Sequence, residues 1–74
     1  MAHPPDLIAT VVAEACRKDP SLPPEAAEQL ARQALACDPG TDAPEIARSL
    51  LAKQDGLDVS WANAIATAVS ELRS

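Results

Sequence analysis

Residues 42–73 read DAPEIARSLLAKQDGLDVSWANAIATAVSELR, and this stretch decides the fold. Ile46, Ala47, Leu50 and Leu51 recur at the spacing that gathers side chains on one face of an α-helix. Trp61, Ile65, Ala68, Val69 and Leu72 repeat that spacing further along, with Asn63, Thr67, Ser70 and Glu71 on the outer side. Between the two runs, Gly56 supplies the left-handed residue that ends a helix, and Leu57 follows where an apolar clasp is usual. Asp58 then stands where a helix N-cap belongs, with Leu57 and Ala62 spaced as a hydrophobic staple. Asp42 and Glu45 have the spacing of a capping box, Asp replacing the usual Ser or Thr. The reading is a helical hairpin over about 43–54 and 59–73.

The upstream half is punctuated in the same way. Ile8, Val11, Val12, Ala15 and Cys16 form one buried stripe, with Pro4, Pro5 and Asp6 suited to a first turn and Arg17 and Lys18 to a last. Asp19-Pro20 stops that helix. Leu22-Pro23-Pro24-Glu25 opens the next, whose inner face is Ala27, Leu30, Ala31, Ala34 and Leu35, with Glu28 and Arg32 as an outer i, i+4 pair. Asp38-Pro39-Gly40 ends it. These helices span about 5–18 and 23–37. No segment alternates with period two, and no repeat or low-complexity tract occurs. The chain reads as one all-α domain over 1–74, a small four-helix bundle or orthogonal helical array.

Composition limits the core. Of 74 residues, 47% are hydrophobic, but sixteen of these are Ala. A chain this short buries only about 60% of the surface its unfolded form exposes. Its helices must therefore approach closely across small side chains. There is no Phe or Tyr and a single Trp, which removes base-stacking platforms and Tyr-based chemistry. Trp61 heads the stripe of the last helix, which places it in the core; the alternative is an interface anchor. No apolar run reaches the ~20 residues of a membrane span, and no basic-then-apolar leader opens the chain.

Cys16 and Cys37 invite a disulfide, but an antiparallel hairpin of the first two helices separates them. Fourteen residues at 1.5 Å each carry Cys37 about 21 Å along the second helix, whereas a disulfide holds its Cα atoms roughly 4.4–6.8 Å apart. Both are expected as buried thiols in a reducing cytoplasm. The single His is His3, so a metal set is not assembled, and the sequence calls for no cofactor.

Three sharper readings can be drawn from particular residues. The short turn between the last two helices partly resembles a DNA-binding helix-turn-helix in spacing: Ala52 precedes Gly56 by four, Leu57 follows it, and Ile65 lies nine beyond. The outward residues of the would-be reading helix are Ser60, Asn63, Ala64 and Thr67, with no Arg or Lys before Arg73 to hold phosphates. Asp19-Pro20-Ser21-Leu22 resembles the Asp-Ser-Leu phosphopantetheine site of acyl and peptidyl carrier proteins, which implies a pantetheine arm on Ser21. It departs from that pattern because Pro20 splits the pair and no long loop precedes Ser21. For catalysis, the sequence offers neither a Gly-rich phosphate loop nor a Gly-x-Ser-x-Gly elbow, and an enzyme is not expected.

Eleven acidic residues face six basic ones, a formal charge of −5. Such an excess disfavours nucleic acid and suits a basic protein surface. The expectation is a cytoplasmic protein-interaction or regulatory module without chemistry of its own, docking on another protein with a basic surface, with a homodimer as a further option and no membrane partner. Ala, Pro and Arg usage suggests a GC-rich bacterial or phage genome, and with it a small inhibitor of a larger machine. Candidate contact residues are Leu7, Asp38, Asp42, Glu45, Leu51, Asp55, Asp58 and Trp61.

Overall fold

The structure is a computed structural model that describes residues 7–38 and 40–73. Four helices follow in order: α1 (Leu7–Lys18), α2 (Pro24–Leu35), α3 (Ala43–Lys53) and α4 (Val59–Arg73), with no strand among the described residues. The protein is a small all-α, four-helix array. The roles expected of His3, Pro4, Pro5, Asp6 and Pro39 lie outside the described residues.

The array is organised by α4. This helix packs against α1, α2 and α3, while α1 and α3 do not touch each other. The cause is legible in its composition. From Val59 to Ser70 it carries no charged residue, and Ala62, Ala64, Ala66 and Ala68 recur every second position. Each two-residue step turns 200° around a helix, so the small side chains are shared among its sides. Three neighbours can thereby come close at once. Ala62, Ala64, Ile65, Ala66, Ala68 and Val69 are all buried. Ala64, expected to face outward, faces in for this reason.

The largest wholly buried side chains are Leu30, Ile46, Leu50, Ile65, Val11 and Val69, drawn from all four helices. Each buries apolar surface worth about 1.5–3 kcal/mol. Leu22, in the turn before α2, joins them at 3% exposure. Two expectations need correction. Trp61 is half-buried and packs on the edge of the core rather than at its centre. Leu72, expected on the inner face, is 39% exposed.

The helix ends differ from the sequence reading in one instructive way. Asp58 does cap α4: its Oδ1 accepts the Ser60 N–H at 2.9 Å. Gly56, at φ 77°, provides the left-handed turn after α3. Asp42, by contrast, makes no side-chain cap bond and contributes only its carbonyl, which accepts the Ile46 N–H at 2.9 Å. The capping box does not form, and Glu45 instead lies 3.7 Å from Arg48. Helix α2 ends at Leu35, two residues early. The chain tightens there, the Cys37 N–H donating to Ala34 O at 3.1 Å.

Candidate protein-binding surface

Cys16 and Cys37 are both free thiols. They are half-buried rather than buried, with Cys16 Sγ donating to Leu22 O at 3.6 Å and Cys37 Sγ to Gln33 O at 3.8 Å. No group of three or more His, Cys, Asp or Glu able to hold a metal occurs among the described residues. No helix among them is long and apolar enough to cross a membrane.

Charge is distributed less evenly than the sequence implies. Four of the six basic side chains are occupied by glutamates: Arg17 with Glu14 at 3.3 Å, Lys18 with Glu71 at 3.1 Å, Arg32 with Glu28 at 3.3 Å and Arg48 with Glu45 at 3.7 Å. Arg73 reaches the end of α2, donating to Leu35 O at 3.1 Å, Cys37 O at 3.2 Å and Asp38 O at 3.1 Å. Glutamates thus pair with most of the basic side chains along the helices, while the aspartates stand in the turns. Among the described residues, Asp38, Asp42 and Asp55 make no ion pair.

These aspartates fall into two sets at opposite ends of α3. The eleven residues of that helix span about 16 Å at 1.5 Å each. Asp38, Asp42 and Glu45 therefore lie at one end, with Arg73 beside Asp38, and Asp55 and Asp58 lie at the other. The two sets do not form one continuous acidic face.

The end that holds Asp55 and Asp58 carries more. Trp61 Nε1 donates to Ser21 Oγ at 3.3 Å, and Ser21 Oγ donates onward to Asp19 Oδ1 at 2.6 Å. Asp19 Oδ1 also accepts the Ser21 N–H at 3.1 Å, closing a turn on itself. This chain ties the α1–α2 turn to the first turn of α4 and brings Asp19 to the same end as Asp55 and Asp58. Val59, 58% exposed, is the first residue of α4 and follows Asp58 directly. Val59 and Trp61 stand two residues apart, about 200° around α4, so this end carries an exposed apolar residue directly after Asp58 and, on another side of the helix, the half-buried Trp61 joined to Asp19 through Ser21.

The remaining candidates are scattered. Leu7 is 51% exposed at the start of α1, and Leu51 is half-buried against the core. Sequence reasoning missed Val59 and Asp19. Val59 stands two residues before Trp61, off the buried stripe, which was the available signal. Asp19 joins only through a hydrogen bond spanning 40 residues of sequence, which no local pattern announces.

A second feature is a groove of about 500 Å³ between α1 and α2, lined by Ile8, Ala9, Val12, Ala13, Pro24, Glu28 and Arg32. It was not anticipated, although Ala9 and Ala13 flank the predicted stripe one turn apart. Leu7 does not line it.

Compared with models of known families, with curated proteins and with solved structures, the chain matches none.

Proposed function

We propose that this protein is an acidic protein-interaction module that docks on a basic surface of a larger protein, using the end where Trp61 meets Ser21. One observation carries the reading: glutamates and the carbonyls at the end of α2 engage five of the six basic side chains, while Asp55 and Asp58 stand just before the exposed Val59 and Asp19 joins the half-buried Trp61 through Ser21. Apolar residues beside like charges can contribute both affinity and electrostatic steering. We extend this reading to a regulatory or inhibitory role, in the manner of a small phage- or bacterium-encoded blocker, on the strength of the Ala, Pro and Arg usage and the negative charge of the chain.

The other two readings find less support. In a helix-turn-helix reader, α4 would present an open face to DNA. Here Ala64 is buried, Thr67 is half-buried, and Arg73 is committed to α2. In a carrier, Ser21 Oγ would have to leave both Asp19 and Trp61 to take a pantetheine arm.

Affinity capture from a lysate of the source cells tests the reading, combined with two assays of the alternatives. A basic protein retained at ~50 mM salt and released as salt rises is the expected result, because screening weakens such contacts. A shifted DNA duplex at ~50 mM salt, where phosphate binding is strong, or a mass gain at Ser21 with a phosphopantetheinyl transferase, overturns it.

A further inference from the structure

We infer that Asp19 and Ser21 are positioning residues, which hold the indole of Trp61 in place before a partner arrives; the inference rests on the docking reading only for the use made of that ring. A serine hydroxyl has one proton to give and two lone pairs to offer, whereas an indole N–H only donates. The proton of Ser21 goes to Asp19 Oδ1 at 2.6 Å, and the same oxygen takes the Ser21 N–H at 3.1 Å. The hydroxyl rotor is thereby stopped, and Oγ turns a lone pair rather than its proton to Trp61 Nε1 at 3.3 Å. Asp19 thus decides that Ser21 accepts. A hydroxyl that donates to a carboxylate is also polarised by it, which strengthens the bond its oxygen accepts.

The acceptor is mounted on a fastened turn. The Asp19 N–H donates to Ala15 O at 2.9 Å, the Leu22 N–H donates to Asp19 O at 3.0 Å, and the Leu22 side chain is buried in the core. Trp61 differs, because packing covers it only in part. Its side chain turns about two bonds, and the contact at Nε1 removes freedom that packing leaves. Ordering an aromatic side chain in advance lowers the entropy lost when it docks. The α1–α2 turn is in this way a brace for a ring that stands 40 residues away in sequence.

Trp61 is the single Trp of the chain, so its signals are followed in the free protein, by nuclear magnetic resonance exchange of the indole N–H and by fluorescence anisotropy decay. Ser21→Ala is expected to speed indole exchange about two- to tenfold, the worth of one hydrogen bond, and to add faster ring motion, with a far-ultraviolet spectrum as helical as the parent's. Asp19→Ala, which removes no atom bonded to the indole N–H, has the same effect. Ser21→Thr keeps the hydroxyl and returns both signals to the parent's values. Exchange and ring motion unchanged by Ser21→Ala overturn the inference. So does an Asp19→Ala protein that behaves as the parent, or a Ser21→Thr protein that behaves as Ser21→Ala. On the captured basic protein, Ser21→Ala loses about two- to tenfold in retention, the worth of ordering one side chain, and full retention overturns the preorganising role. The spectroscopic measurements need no partner, so a failed capture overturns the docking reading alone.

Discussion

Arg73, the last described residue of the chain, donates from Nη2 to the carbonyl of Leu35, the last residue of α2, at 3.1 Å. A helix leaves its final carbonyls without partners. Here a side chain from another helix supplies them, and the same guanidinium also serves Cys37 and Asp38. A cation is favoured at a helix C-terminus in addition, by the partial negative charge gathered there. The contact fastens the end of α4 to the end of α2.

Arg73→Ala is therefore expected to cost about 1.5–3 kcal/mol, the range for hydrogen bonds involving a charged group. For a domain of this size that lowers Tm by roughly 4–8 °C per kcal/mol. Arg73→Lys recovers only part, because an ammonium cannot span three carbonyls as a planar fork does. Thermal unfolding of the two variants checks this, and an Arg73→Ala Tm equal to the parent's refutes it.

The two N-caps give a paired prediction. Asp58 accepts a backbone N–H and Asp42 does not. Asp58→Ala is expected to destabilise by about 1 kcal/mol, and Asp42→Ala by at most a few tenths, the residual effect of a carboxylate near a helix N-terminus. Denaturant midpoints of the two variants, measured side by side, check the order. Equal losses contradict it.

The alanines of α4 set a third expectation. Ala66 and Ala68 are buried where neighbouring helices press on α4. Ala66→Leu inserts a side chain with no room to receive it, at a cost of about 1–3 kcal/mol. Ile65→Ala, which empties the centre, costs about 2–5 kcal/mol. At the exposed Ala9, substitution by Leu leaves stability nearly unchanged. Chemical unfolding of the three variants reads these differences directly.

Gln33 supplies a prediction of opposite sign. Its Oε1 is buried without a hydrogen-bond partner, a condition that costs about 1–3 kcal/mol. Gln33→Met keeps the shape of the chain and removes the stranded oxygen. Its Tm is expected to rise by a few degrees, and a fall shows that the amide is satisfied in solution.

Much of this fold could be read from the sequence, because its helix boundaries are marked by local chemistry. Pro24 at the start of α2, Gly56 after α3 and Asp58 before α4 each act within a few residues, and each stands where local rules place it. What escaped was decided by contacts between distant segments. Asp42 looks like Asp58 in sequence, yet its side chain makes no cap bond. Ala64 looks outward on a single buried stripe and faces inward because α4 has neighbours on three sides. Trp61 reads as the heart of the core, but its indole N–H reaches Ser21 at the surface, which holds the ring on the edge. The candidate surface was legible only in part. Its aspartates and Trp61 stand out as residue types, but their division between two ends depends on the length of α3 and on the Trp61–Ser21 bond.

The surface assignment is tested most directly by reversing charge at each end separately and measuring retention of the captured partner at low salt. Asp55→Lys with Val59→Ser alters the Trp61 end without touching the cap at Asp58, and Asp38→Lys with Asp42→Lys alters the other. The account predicts at least a tenfold loss of retention for the first pair and little change for the second, with both proteins as helical as the parent. Loss confined to the second pair, or full retention by the first, contradicts it.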